Sequence, residues 1–307
     1  MLGQYLITFR EVLEAALVVS IVLAYMIKTD RLHLTKYIWW GVALAAAASI
    51  AAGAAVAVMY GSLTEATEKL FEGLAALIAV AVLTTMILWM ALRGSRVEQD
   101  IKDRTRDVVE TGTVMGLVAF AFIMVFREGF ETVLFLTPFA SSDPSGTVLG
   151  LVLGLVTALA LAYAIFRLGV RIDLKRFFYL SSILLVLLAA GLAGYGVHEL
   201  LEYGEAVGAQ VGWVGEYAYQ LDVPSDSPWY HKGTVGSVFA VMFGYSVKME
   251  WARVFVHVAY LAIFLPLVVI AYKRPDLLEA AGARLRALPR VLTGTRNGRP
   301  DAGQGDR

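Results

Sequence analysis

Two short stretches place ionisable side chains where only apolar ones are expected. Arg10, Glu11 and Glu14 interrupt one long apolar run, and Arg127, Glu128 and Glu131 interrupt another. On a helix, positions three and four apart share a face. Arg10 and Glu11 therefore stand beside Glu14, and Arg127 and Glu128 beside Glu131. Each stretch presents two carboxylates and one guanidinium on one side of its helix. An ionisable residue in a bilayer core costs several kcal/mol, and such residues mark ion or proton routes. Four carboxylates meeting in one volume would repel and protonate unless cations offset them. Two arginines offset part of that charge, and a bound cation offsets the rest. Oxygen-only ligation suits hard cations such as Fe³⁺, Mg²⁺, Ca²⁺ or Mn²⁺. The plainer alternative is that Arg–Glu pairs only hold the two helices together. Arg10 could also snorkel to the nearer interface, an explanation that fits the deeper Arg127 less well.

The elements that must position these groups are read from composition and hydropathy. The chain has 307 residues, 58% of them hydrophobic, with no formal net charge and a mean hydropathy of +0.67. Apolar blocks long enough to cross a bilayer, about 20 residues, fall at 5–27, 37–60, 70–92, 113–137, 147–166, 177–199 and 251–272. The expected fold is all-α: an integral membrane protein with seven transmembrane helices. The first block is interrupted by charge and lacks a small-residue cleavage site, so it reads as a retained helix rather than a signal peptide. With no cysteine, disulfides, thiolate metal sites and thiol catalysis are excluded. No basic stripe with interleaved aromatics is present, so a nucleic-acid partner is not expected.

Lys and Arg in the connections set orientation, since they favour the cytoplasmic side. The first, third and fifth connections and the tail hold twenty of them, and the alternate connections hold only Lys69, Lys232 and Lys248. The N-terminus is thus expected outside and the C-terminus inside. Residues 1–272 are expected to form one membrane domain and residues 273–307 a basic cytoplasmic tail. The segment 201–250 is an outer loop or cap, whose apolar part, 235–247, is too short to span.

The phrase Phe9-Arg10-Glu11-Val12-Leu13-Glu14 recurs as Phe126-Arg127-Glu128-Gly129-Phe130-Glu131. The next helix carries small residues every four positions: Gly41, Ala45, Ser49, Gly53 and Ala57 in one case, Gly150, Gly154, Ala158 and Ala162 in the other. Such ladders let helix backbones approach closely in lipid. Residues 1–92 and 113–200 therefore look like two three-helix copies, with 251–272 as an extra seventh helix. Three spans per copy is odd, so the copies are inverted, a plan of secondary transporters with the site at the repeat interface. The two acidic clusters then reach similar depth, roughly 9–14 Å from the outer end.

Other candidates are secondary. Glu65, Glu68 and Glu72 at the start of the third span, with Glu199 and Glu202 at the end of the sixth, suggest an acidic outer vestibule that concentrates cations. A solvated helix end explains them as well. His198-Glu199-x-x-Glu202 falls short of a zincin motif by its second histidine. His257 inside the last span reads as a packing residue or a proton relay. Met86, Met90, Met115 and Met124 read as packing or lipid-facing residues.

Two copies of R-E-x-x-E, at Arg10–Glu14 and Arg127–Glu131, with the phrase FREGFETVLFL and the third-span segment FEGLAALIAVAVLTTMILWM, resemble the oxidase-dependent iron permeases, including the EfeU-type bacterial permeases. The resemblance implies uptake of iron, Fe³⁺ or Fe²⁺, across the cell membrane, with Glu11, Glu14, Glu128 and Glu131 binding the ion in passage. It also implies a separate extracytoplasmic oxidase or iron-delivery protein as partner. Iron is then the transported substrate, with no resident cofactor and no enzymatic role. The alternatives are a permease for another cation, such as lead or manganese, and a membrane-embedded metalloenzyme using His198, Glu199 and Glu202. A third is an assembly protein with buried ion pairs.

Overall fold

A computed structural model describes residues 1–93, 97–110, 113–167, 173–209, 211–231, 233, 235–274 and 276–277. Most of the basic tail lies outside the described residues. So do Arg96 and Arg171 of the basic connections. The helices are α1 (Leu2–Lys28), α2 (Thr35–Tyr60), α3 (Glu65–Arg93), α4 (Val97–Glu110), α5 (Val114–Ser142), α6 (Pro144–Arg167), α7 (Leu174–Ala206), α8 (Gly236–Phe243) and α9 (Trp251–Lys273). Two short strands, β1 (Tyr217–Gln220) and β2 (Lys248–Glu250), pair antiparallel between α7 and α9.

Five described helices are long and apolar enough to cross a membrane: Leu32–Tyr60, Glu65–Leu92, Pro144–Phe166, Arg176–Ala206 and Trp251–Lys273. Helices α1 and α5 are as long, at 27 and 29 residues. Their apolar runs are broken by the R-E-x-x-E residues themselves. Around the bundle, Trp39, Trp40, Ile50, Val58, Val148, Val156 and Leu159 are exposed. So continuous an apolar surface needs lipid rather than water against it. The chain is a multi-pass membrane protein, overwhelmingly helical.

Local chemistry sets the boundaries. Asp143 accepts the Gly146 N–H at 2.9 Å and Pro144 follows it. An N-cap aspartate with proline at the first helical position ends α5 and starts α6. Asp173 caps α7 in the same way, accepting from the Arg176 N–H at 3.1 Å. Two features depart from the expected spans. The third connection contains α4, whose Ile101 and Thr105 are buried while its charged face is exposed. Ile101 packs with Val22, Met26, Ile38 and Leu117, closing the Lys28 end of the bundle. Helix α7 also continues to Ala206, so the connecting region begins later than residue 201 and holds β1, α8 and β2.

The packing interleaves residues 1–92 with residues 113–200. Helix α1 lies chiefly on α6 and α2 chiefly on α5, while α3 lies on α7 and α1 meets α5. The glycine ladders make the first two contacts. A Cβ on Gly150 would lie 2.8 Å from Gln4 Cβ and 2.9 Å from the Tyr5 nitrogen, and one on Gly154 would lie 2.8 Å from Thr8 Cβ. A Cβ on Gly41 would lie 2.5 Å from the Val118 carbonyl. Each small-residue ladder thus receives one of the two R-E-x-x-E helices. The main apolar core, with Ile7, Leu83, Phe135, Leu185 and Tyr260, joins α1, α3, α5, α7 and α9.

Candidate metal centre

The helical period presents Arg10, Glu11 and Glu14 together, and the bundle buries all three. Arg10 is only 2% exposed. Its Nη1 donates to Glu11 Oε1 at 2.8 Å and its Nη2 lies 2.7 Å from Glu14 Oε1. Nη1 also reaches the Met86 sulfur at 3.3 Å, so α3 takes part in holding the guanidinium. On α5, Arg127 Nη2 donates to Glu128 Oε1 at 2.5 Å, and its Nε lies 3.6 Å from Glu131 Oε1. Arg127 is 53% exposed.

Where α1 meets α5, Glu11, Glu128 and Glu131 each offer a carboxylate oxygen, and the three oxygens lie within 4.8 Å of one another. Glu11 Oε2, Glu128 Oε2 and Glu131 Oε2 are buried and have no hydrogen-bond partner. Unpaired buried carboxylate oxygens are costly, and a hard cation among them supplies the missing partner. Among the described residues this is the group of three acidic or imidazole side chains close enough to share a metal ion. Of the four glutamates expected here, three converge. Glu14 stands outside that triangle, held by Arg10.

The acidic residues expected at a vestibule are arranged differently. Glu72, 7% exposed, receives the Tyr60 hydroxyl on Oε1 at 2.5 Å and the Tyr195 hydroxyl on Oε2 at 2.6 Å. Tyr60 also contacts Glu68. The Lys69 ammonium lies 3.2 Å from Glu199 Oε2 and also pairs with Glu202. Glu65 is exposed. His198 stands between Glu202, 3.2 Å from Nε2, and Glu250, 3.1 Å from Nδ1. His257 is buried against Gly244. With φ at +64° and a Cβ that would meet the imidazole at 2.6 Å, position 244 requires glycine. That is a packing environment.

Three contacts escape a reading of the sequence: Met86 on Arg10, and Tyr60 and Tyr195 on Glu72. Met86 sits in an apolar run with no periodic signal. Tyr60 lies at a helix end, where an interfacial aromatic is ordinary, and Tyr195 sits inside α7 with nothing local to mark it.

Comparison with known proteins bears on the chain as a whole. Residues 1–271 match the iron permease FTR1 family. An uncharacterised protein of Archaeoglobus fulgidus is 43% identical over 274 residues, covering 89% of this chain and 96% of that protein. A protein of Yersinia pestis named ferrous iron permease EfeU is 32% identical, covering 95% and 99% respectively. One of the same name from Escherichia coli is 35% identical over 211 residues, covering 66% and 75%. No solved structure matches.

Proposed function

Because the chain belongs to the iron permease FTR1 family, we propose that it carries iron ions inward across the cell membrane, through the carboxylates shared by α1 and α5. The observation that carries this reading is the triangle of Glu11, Glu128 and Glu131, whose buried oxygens lack partners. In this reading Glu11, Glu128 and Glu131 bind the ion directly. Arg10 holds Glu11 and Glu14 in place, and Glu14 is a reserve carboxylate one turn deeper. Arg127 does the same for Glu128 and Glu131 from a more open position. Transport requires the ion to leave, so the arginines compete with it for the same oxygens, and either occupant can replace the other without leaving bare charge.

The topology proposed with this mechanism has seven spans, α1, α2, α3, α5, α6, α7 and α9, with the N-terminus outside. Helices α1–α3 and α5–α7 are inverted copies that exchange their first helices, which accounts for the packing of α1 on α6 and of α2 on α5. The site lies where the two first helices meet. Iron reaches the outer end from a separate oxidase or delivery protein, and no enzymatic step belongs to this chain.

Iron uptake into vesicles is the direct test. Glu131→Ala is expected to abolish it while the protein still reaches the membrane. Wild-type uptake by that variant would refute the assigned role. A permease for manganese or lead would show those ions displacing iron at equal concentration. The metalloenzyme alternative fares worse: both imidazole nitrogens of His198 already face carboxylates.

A further inference from the structure

Beyond the carboxylate triangle, a second set of oxygen ligands converges from three helices. Tyr60 ends α2, Glu72 lies two turns into α3, and Tyr195 lies about three turns before the end of α7. Both phenols point at one buried carboxylate, at 2.5 and 2.6 Å. Backbone packing places them there. A Cβ on Gly196 would lie 3.1 Å from the Gly73 carbonyl, so α3 and α7 touch beside Glu72 and Tyr195. Glu68 adds a carboxylate on the Tyr60 side. Glu199, one turn beyond Tyr195, adds another. It is 4% exposed, and its Oε2 meets the Lys69 ammonium at 3.2 Å.

We propose that Tyr60, Glu72 and Tyr195, with Glu68 and Glu199 at the rim, form a second iron site that takes the ferric ion. Carboxylates alone accept many hard cations, and phenolates narrow the choice. A phenolate is a strongly basic anionic oxygen donor, and it binds a trivalent ion far better than a divalent one. A bound cation promotes loss of a ligand proton that would otherwise stay in place. Fe³⁺ enters with loss of the two phenolic protons to solvent. Its three charges are then met by two phenolates and Glu72, with no change of oxidation state. In the empty site the phenolic protons hold the oxygens together, and Lys69 serves as a resident cation for Glu199. On the proposed topology this cluster is at the outer end, where it receives iron before the α1–α5 triangle does. That order rests on the transport reading, but the existence of the site does not.

The test is a titration of the purified full chain in detergent with ferric nitrilotriacetate, followed by visible absorption and resonance Raman spectroscopy. Ferric phenolate coordination gives a visible charge-transfer band with tyrosine ring modes enhanced in the Raman spectrum. The expected result is a saturable band in the wild type, lost in Tyr195→Phe and in Tyr60→Phe, and retained in Glu131→Gln. Ferrous ion under anaerobic conditions should give none. The wild-type spectrum needs no variant to fold, and helical circular dichroism checks the two phenylalanine substitutions. Absence of the band in the wild type overturns the proposal, as does a band unchanged in both folded variants. A band present when vesicle uptake fails would leave this site standing and remove the transport reading.

Discussion

The two R-E-x-x-E segments are nearly the same in sequence and differ in surroundings. In α1 the guanidinium is sealed in, shared between Glu11 and Glu14 and capped by the Met86 sulfur. In α5 the guanidinium is half-exposed, close to Glu128 and looser on Glu131. The difference traces to what packs on each helix. Helix α3 backs Arg10 through Met86, and α9 packs in turn on α3 and α7. The matching face of α5, with Ile123, Arg127 and Phe130, is exposed. Similar sequence therefore does not mean similar surroundings: one guanidinium is sealed among its partners and the other is half-exposed.

The strongest test of that contrast removes each arginine in turn. Arg10→Ala leaves two carboxylates in an apolar interior without their cation and should cost about 3–5 kcal/mol. Arg127→Ala removes a guanidinium that is half-exposed and looser on Glu131, and should cost less than Arg10→Ala. Thermal unfolding followed by circular dichroism in detergent reads both, and equal losses would break the comparison. Next come the glutamates. Glu11→Gln removes a ligand and should abolish saturable iron binding measured by calorimetry. Glu14→Gln disturbs only the group that orients Arg10 and should weaken binding about tenfold. Equal loss from both would bring Glu14 into the triangle.

A smaller effect separates the two ends of the α2 ladder. Gly41→Ala drives a methyl to 2.5 Å from the Val118 carbonyl and should cost about 1–3 kcal/mol. Gly53→Ala meets Val133 at an ordinary 3.6 Å and should change stability by less than about 0.5 kcal/mol. The smallest effect concerns Asp143, which bonds Gln4 of α1 and caps α6. Burial alone would raise its pKa, but the Gly146 N–H and the amino terminus outweigh that and hold it below the usual aspartate value. Its contribution is therefore full above the unfolded pKa and is lost as pH falls through the lower folded value. Because the group is well exposed, Asp143→Asn should flatten the acid limb of a stability–pH curve by less than about 1 kcal/mol. No change in that limb would remove Asp143 as a tie between α1 and α6.

Much of this architecture could be read before folding. Charge inside the apolar runs at 10–14 and 127–131 singled out the site helices. The four-residue ladders at Gly41 and Gly150 announced close packing, though not against which helix. Helix α4 was harder to see, because its charged residues read as a polar connection and its inward stripe is short, with Ile101 and Thr105. The strands β1 and β2 lie thirty residues apart, and nothing local to either requires the other.

Sequence alone determined which residues are neighbours within one helix, because the 3.6-residue period is a property of the backbone: Arg10 must stand beside Glu14, and Arg127 beside Glu131. Only the tertiary structure decided that Glu11, Glu128 and Glu131 converge while Glu14 stays with its arginine, and that Tyr60 and Tyr195 meet on Glu72. Those contacts depend on how each helix is rotated about its own axis against its neighbours. That rotation is set by side-chain packing across the whole bundle, not by any short stretch of chain.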